Sequence, residues 1–343
     1  MAALICINGL AGWHAIEGFM SERLRIATFN LENLGRTRDD SIGLDERIAA
    51  LRPVLRRLRA DVLCLQEVDG QKPADGGPRD LAVLEVLLAN TSYAGFARCC
   101  TAGPGGGVRD IHNLVVLSRW PIVEHREIRH EIVPAPILHL PLLAEPVAAT
   151  WRRPLLHAVI DLPGGNRLQV VNAHFRAPLA AALPGQKAGP FSWKSTEAWA
   201  QGSYRSVVER AGQALEARLL VDGLLAADPE ALICLAGDFN ATLDEMPLRL
   251  LLAAEEDTGN GHLAGRALTP LERSLPESVR HTVLHHGRPQ MLDHILVSRA
   301  LLGWYRQLEI HNEALADELV GYVGIEQTPG SLHAPVVAAF EPG

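Results

Sequence analysis

Runs of apolar residues that end abruptly in polar side chains recur along this chain. The clearest is residues 231–236 (ALICLA), which lead directly into Gly237, Asp238 and Asn240. An unbroken apolar run of this length predicts a strand buried on both faces. Such a strand would carry a carboxylate and a carboxamide at its own end. Residues 61–67 (DVLCLQE) follow the same pattern and end in Glu67.

Other predicted strands also carry polar residues at or near their ends. These are residues 23–30 (Asn30, followed by Glu32), 166–174 (Asn172 and His174), 291–297 (Asp293) and 329–340 (His333). Taken alone, Gly237, Asp238 and Asn240 could simply form a turn after a strand, and His174 could be a strand-end histidine bonded to the backbone. The recurrence of the pattern favours a functional site.

Segments with helical spacing of apolar residues lie between these predicted strands. Residues 44–59 have apolar positions three and four apart, which predicts a helix in which Pro53 causes a kink or marks a shifted boundary. Residues 198–227 predict a long helix and residues 246–254 a short one, whereas residues 133–154 predict a Pro-rich surface excursion and residues 255–289 a long polar loop. Strand, helix, strand therefore occurs twice. Two such units packed face to face would bring their polar strand ends to one rim.

Composition narrows the class of protein. The chain has 343 residues and is 48% hydrophobic, which is enough for a large core. We expect one domain over residues 22–341 and a dispensable, disordered extension over residues 1–21, which lacks the basic segment of a signal peptide. The net charge of -8 counts against a nonspecific DNA-coating protein. The five cysteines form no disulfide or zinc pattern, so we expect a cytoplasmic protein.

Seven short motifs together resemble, in order, those of the endonuclease/exonuclease/phosphatase superfamily. They are residues 28–32 (TFNLE), 65–67 (LQE), 115–119 (VVLSR), 171–174 (VNAH), 237–240 (GDFN), 292–295 (LDHI) and 331–336 (SLHAPV). This is the fold of DNase I-like nucleases, abasic-site endonucleases, inositol phosphatases and neutral sphingomyelinases. The resemblance implies a four-layer α/β/β/α sandwich of two packed, mostly antiparallel sheets.

The resemblance also implies residue roles. Asn30 and Glu67 resemble a Mg²⁺ (or Mn²⁺) site, with Glu32 close behind it. The catalytic positions are Asp238 and Asn240 for water and phosphate, His333 at the phosphate with Asp293 as its partner, and His174 with Asn172 at the phosphate or leaving group. This set suits phosphoester hydrolysis, which needs a hard cation, an activated water and stabilisation of the leaving alkoxide.

One position departs from the family pattern. The last motif usually reads Ser-Asp-His, whereas this chain has Leu332, which supplies no oxygen ligand. Three accounts remain open: compensation by water or by a side chain such as Asp317 or Glu326, a shift of the metal toward Asp238, or loss of activity. We favour a metal-dependent phosphoesterase of nuclease type that hydrolyses phosphodiester bonds, with phosphomonoester bonds left open. The alternative is a pseudoenzyme that binds a phosphorylated ligand without cleaving it.

The substrate stays open at this stage. Arg205 and Arg210 on the long helix predict either phosphate contacts or a solvated face. Phe191, Trp193 and Trp199, interleaved with Lys187 and Lys194, could stack a base, cover the core or meet a lipid head group. The acidic charge favours a small or single-stranded phosphodiester over long duplex DNA, and no obligate protein partner is evident. The spacing of His281, His285, His286 and His294 fits no metal-site template.

Overall fold

The computed structural model describes residues 23–35, 42–103, 106–318 and 328–342. The predicted N-terminal extension, residues 1–21, lies outside the described residues, as does Glu326. The strands are, in chain order, β1 (Leu24–Leu34), β2 (Val62–Val68), β3 (Ala97–Cys100), β4 (Asn113–Ser118), β5 (Ile122–Ile128), β6 (Ile137–Leu138), β7 (Val147–Ala148), β8 (Leu155–Asp161), β9 (Arg167–His174), β10 (Leu232–Asp238), β11 (Thr269–Pro270), β12 (Val283–His285), β13 (Arg288–Gln290), β14 (Asp293–Val297), β15 (Tyr305–Ile310) and β16 (Val336–Phe340).

The helices lie mostly between these strands. They are α1 (Leu44–Leu58), α2 (Ala82–Leu88), α3 (Thr196–Ala227), α4 (Met246–Leu252), α5 (Glu255–Thr258) and α6 (Arg299–Leu302). Ser195 caps α3, because its side chain accepts a hydrogen bond from the backbone N–H of Ala198. No helix in the described part of the chain is long and apolar enough to cross a membrane.

Two six-stranded sheets carry the fold. Their strand orders are β15-β16-β1-β2-β4-β3 and β5-β8-β9-β10-β14-β11. Each sheet contains one parallel pair, β1–β2 or β9–β10, and the other pairs are antiparallel. The parallel pairs are connected through α1 and through α3. The two predicted strand-helix-strand units therefore occupy equivalent positions in the two sheets.

Alternating side chains on the central strands divide the core into layers. Cys64 of β2 and Cys234 of β10 point into the core between the sheets. Their neighbour Leu65 instead packs in an outer layer that includes Leu51 of α1, and Leu235 packs in the other outer layer with residues of α3 and α4. Successive side chains of a strand face opposite sides, so each central strand serves two layers. The predicted α/β/β/α sandwich of two mostly antiparallel sheets is confirmed.

Three segments differ from the sequence predictions. Helix α1 continues through Pro53 to Leu58, so the proline does not shift the predicted boundary of the helix. Residues 255–289 are not one polar loop, because they contain α5, β11, β12 and short 3₁₀ turns. The Pro-rich excursion forms the β6–β7 hairpin and buries Leu138 and Trp151, since its apolar side chains pack over part of α3.

Candidate active site

The polar strand ends meet at one rim of the two sheets. Within the second sheet, Asp238 at the end of β10 is in register with His174 of β9 and with Asp293 of β14. Gly237 makes this close approach feasible: its φ is +150°, and a Cβ there would lie 1.9 Å from the carbonyl oxygen of Ala173. Only glycine avoids that clash, so the residue preceding Asp238 is restricted by packing.

Asp238 is almost completely buried, with 1% of its surface exposed. Its Oδ1 accepts a hydrogen bond from the backbone N–H of Asn240 (2.8 Å), and its Oδ2 accepts from Asn240 Nδ2 (3.1 Å) and Asn30 Nδ2 (3.0 Å). Burial raises the pKa of Asp238, but the charge on His333 and the hydrogen bond from the Asn240 backbone N–H outweigh it and hold the pKa well below its usual range. Asp238 is therefore ionised.

His333 and Asp293 form a buried pair beside Asp238. The distance from His333 Nδ1 to Asp293 Oδ2 is 2.8 Å. Burial lowers the pKa of His333, but Asp293 and Asp238 outweigh it and raise the pKa to about 10. Burial and Asp238 raise the pKa of Asp293, and among the described residues its Oδ1 has no hydrogen-bond partner. The pair therefore holds one proton, on the imidazole ring.

Glu67 lies at the end of β2 with a φ of +57°. Its Oε2 accepts a hydrogen bond from the backbone N–H of Asn33 (3.0 Å), and its Oε1 lies 3.4 Å from Asn30 Nδ2. The Asn30 Oδ1 accepts from the backbone N–H of Glu32 (2.9 Å). Asn30 thus turns its amide nitrogen toward Glu67 and Asp238, and this hydrogen-bond pattern favours a bridge between the carboxylates over the predicted oxygen ligand.

The motif around Leu332 is attached to the end of β1. Ser331 Oγ donates to the carbonyl of Asn30 (2.8 Å), and the backbone N–H of Leu332 donates to Glu32 Oε2 (2.9 Å). The side chain of Leu332 is buried. Glu32 therefore places a carboxylate against the residue that departs from the family pattern. Asp317 accepts from the backbone N–H groups of His286 and Gly287, at the β12–β13 turn.

His174 is buried among groups of both charges. Its Nε2 lies 3.3 Å from Asp238 Oδ2 and 3.6 Å from Glu67 Oε1. Arg153 Nη1 is closer, at 2.7 Å. Burial and Arg153 lower the pKa of His174, against the opposite effect of Asp238 and Glu67. His174 is therefore a neutral imidazole.

Arg153 and His112 are two site residues that the sequence analysis missed. Arg153 also donates to His112 Nδ1, and His112 Nε2 lies 3.2 Å from Asn33 Oδ1. Arg153 ends the Pro-rich excursion two residues before β8, and His112 directly precedes β4. Their positions at element boundaries were the only sequence signal, since neither belongs to a motif.

Three predicted substrate contacts are engaged elsewhere. Asn172 is fully buried and bonds Gln66 Nε2, the carbonyl of Leu65 and the carbonyl of Val115, so it ties the two sheets together. Arg205 donates to Glu209 and to backbone carbonyls. Arg210 donates to the carbonyl of Asn240 and to Glu245. These contacts favour structural roles, because the donors and acceptors are already used within the fold.

The chemistry of the rim suits a hard cation. Three carboxylates, Glu67, Asp238 and Asp293, face two cations, Arg153 and the protonated His333, which leaves one negative charge in excess. Potential ligand atoms of Asp238, Asp293 and His333 all lie within 4.8 Å of one another, and they form the one such cluster in the described part of the chain. Of the four histidines whose spacing fits no metal-site template, His294 bonds Glu272 and the carbonyl of Ala241.

Comparisons with solved structures agree with this architecture. An endonuclease/exonuclease/phosphatase from Beutenbergia cavernae is 20% identical over 94% of this chain and 72% of its own, with a TM-score of 0.54. Truncated Caenorhabditis elegans TDP2 is 14% identical over 93% and 98% of the two chains, also at 0.54. The 3'-5' exonuclease NExo from Neisseria meningitidis is 18% identical over 93% and 100%, again at 0.54. At these identities the likeness shows the fold.

A comparison with the curated proteins found no match. The protein-family comparison is more specific, because it matches residues 27–315 as one continuous region. That region contains six of the seven motifs and all of the strand ends described above except the one that carries His333. Sequence and fold therefore agree that the chain belongs to the endonuclease/exonuclease/phosphatase family.

Proposed function

We propose that this protein is a divalent-metal-dependent phosphodiesterase of nuclease type. The observation that carries the proposal is the arrangement of Asp238 and the Asp293–His333 pair on one buried rim, opposite Glu67. An ionised carboxylate, a protonated imidazole and a further carboxylate supply three requirements of phosphoester hydrolysis: orientation of water, binding of phosphate oxygen and attachment of a cation. Family membership supports the same class of hydrolase.

Glu67 and Asp238 are the residues that would hold the metal. Their Oε1 and Oδ2 atoms both contact Asn30 Nδ2 and both lie near His174 Nε2, so they border a common space. Carboxylate oxygens are the ligands that Mg²⁺ prefers. When bound, a divalent cation there would neutralise phosphate charge and stabilise the leaving oxygen. His333 is a poor ligand because its pKa, raised to about 10, keeps both ring nitrogens protonated, so neither offers a lone pair to a metal.

Side chains of the protein supply the remaining functions of the proposed mechanism. Asp238 accepts hydrogen bonds and stays ionised, so its role is to orient an attacking water, with Asn240 fixing its carboxylate. His333 has Nδ1 on Asp293, which leaves its Nε2–H to donate to a phosphate oxygen. Glu32 holds the Leu332 backbone, and through it the segment that carries His333.

Structural neighbours support a single-stranded or end-processing substrate. NExo is described as a 3' phosphatase bound to a product DNA hairpin, and Danio rerio TDP2 is described in complex with single-strand DNA product. The net charge of -8 is unfavourable for long duplex DNA. We therefore infer a short or single-stranded nucleic-acid substrate, cleaved at a phosphodiester bond or, as by a 3' phosphatase, at a terminal phosphomonoester.

The direct test is hydrolysis of bis(p-nitrophenyl) phosphate and of a short labelled single-stranded DNA in EDTA, Mg²⁺ or Mn²⁺. We expect turnover that requires metal and falls at least about a hundredfold in Asp238→Asn. Asp244→Asn is the matched control, since Asp244 is an exposed carboxylate in the loop that follows Asn240. If no phosphodiester is cleaved with either metal, the proposed function is wrong.

Leu332 gives the alternative function its specific support. A buried leucine at this position offers no oxygen ligand, so a protein that binds a phosphorylated ligand without cleaving it is the second candidate. Binding of the labelled DNA that persists in EDTA, with no turnover in Mg²⁺ or Mn²⁺, would favour this binder. Activity that appears only in Leu332→Asp would identify the missing ligand as the cause.

A further inference from the structure

Arg153 is a charged side chain on the rim that the proposed mechanism does not use. Its guanidinium is half-buried and lies between two histidine rings. Nη1 lies 2.7 Å from His174 Nε2 and donates to the carbonyl of Phe175 at 2.9 Å. Nη2 and Nε lie 2.9 and 3.3 Å from His112 Nδ1. Because a guanidinium has only donors, each ring must offer it a lone pair.

The contacts of the two ring nitrogens of His112 fit a single neutral tautomer. With Nδ1 accepting from Arg153, the proton of a neutral His112 ring is on Nε2. That nitrogen lies 3.2 Å from Asn33 Oδ1, which is an acceptor. The backbone N–H of Asn33 in turn donates to Glu67. Arg153 is therefore held in place by a hydrogen-bonded chain that begins at the predicted metal ligand.

The distances from His174 Nε2 to its neighbours indicate which ring nitrogen carries the proton. If Nε2 carried a proton, that proton would face the Arg153 N–H at 2.7 Å, which is repulsive. The competing acceptors, Asp238 Oδ2 and Glu67 Oε1, are farther away at 3.3 and 3.6 Å. The short contact therefore favours a bare Nε2 and a proton on Nδ1, which is buried and has no partner among the described residues.

We infer that Arg153, held by His112, is a positioning residue that fixes His174 as the neutral Nδ1–H tautomer. The consequence for catalysis rests on the proposed phosphoesterase function. His174 then has no Nε2 proton to give to a leaving group. This differs from the role in leaving-group departure that the sequence analysis allowed for His174.

Histidine ¹⁵N NMR of the protein in EDTA at neutral pH tests the inference without any substrate. The ring nitrogen shifts of His174, assigned by their loss in His174→Gln, should show a protonated Nδ1 and a bare Nε2. Arg153→Met should move the proton to Nε2, where Asp238 accepts it. Arg152→Met is the matched control, because Arg152 is the exposed neighbour of Arg153, and it should leave the spectrum unchanged.

The wild-type spectrum decides the question even if Arg153→Met fails to fold. A protonated Nε2 on His174 in the wild type would overturn the inference. In the hydrolysis assay, Arg153→Met should lower kcat by roughly tenfold or more with little change in KM, as losses of outer positioning groups do, and Arg153→Lys should restore part of it. An unchanged kcat would remove Arg153 from catalysis, whereas a wild type that cleaves nothing would refute the proposed function and leave the tautomer result standing.

Discussion

His333 and His174 lie on the same rim, and both are close to Asp238, yet their protonation differs. His333 faces Asp293, and its pKa rises to about 10. His174 faces Arg153, and its pKa falls below the ordinary value. Burial lowers the pKa of both rings, so the difference comes from the neighbouring charge. We therefore expect His333 to donate to phosphate and His174 to act as an acceptor.

This comparison shows why a histidine at a strand end does not reveal its role. The sequence gives both residues similar surroundings, a strand end followed or preceded by small residues. The role is decided by a carboxylate 40 residues before His333 and by a guanidinium 21 residues before His174. Replacing each of these neighbours is therefore the most direct way to abolish the difference in protonation between the two histidines.

The largest expected effect is that of Asp293→Asn. Without the carboxylate, the pKa of His333 should fall toward about 6.5, so the ring loses its charge near neutral pH. The rate at pH 8 should fall at least about a hundredfold and recover in part as the pH is lowered. A kcat profile from pH 5 to 9 measures this, and Asp244→Asn should retain the wild-type profile. An unchanged profile would refute the assigned role of the pair.

Glu272→Gln tests a third histidine that also has a carboxylate partner. His294 and Glu272 are fully buried, Nδ1 lies 2.5 Å from Oε1, and Glu272 outweighs burial to raise the pKa of His294. This pair lies behind the rim, so its loss should cost about 3 kcal/mol of unfolding free energy. Urea unfolding measures this loss, with exposed Glu277→Gln as the control. A fall in kcat per folded molecule as large as that of Asp293→Asn would contradict the structural role.

The pH dependence of the unfolding free energy should also report the charge on His333. The pKa of His333 is raised above its unfolded value, so its contribution is fully present below about pH 6.5 and is lost as the pH rises toward 10. In EDTA, the unfolding free energy of the wild type should therefore fall over this range more steeply than that of His333→Gln. Parallel curves for the two proteins would show that the ring is not charged in the folded state.

The smallest expected effect is that of Leu332→Asp. A new carboxylate at this position, whose backbone N–H contacts Glu32, adds an oxygen ligand but also adds like-charge repulsion when no metal is bound. The Mg²⁺ concentration for half-maximal activity should fall several-fold, which a metal titration of the hydrolysis rate measures. Leu332→Asn is the control for polarity without charge. An unchanged Mg²⁺ requirement would place the metal away from this residue.

The sequence by itself determined the sandwich fold and the strand ends that carry Asp238, Glu67 and His174. Unbroken apolar runs report burial on both faces, and the order of short motifs identified the family. These signals are local, since each depends on residues adjacent in the chain. Pro53 shows the limit of local signals, because packing of Leu51, Leu55 and Leu58 keeps the helix intact despite the proline.

Only the tertiary structure decided which groups are partners. Asn172 looked like a phosphate ligand until its amide was seen to tie the two sheets together, and Arg210 looked free on the surface of a helix until it was seen to hold the Asn240 loop. Arg153 and His112 had no motif at all. Hydrogen bonds and charge interactions depend on distances of a few ångströms between residues far apart in sequence, and those distances are set by how the two sheets pack.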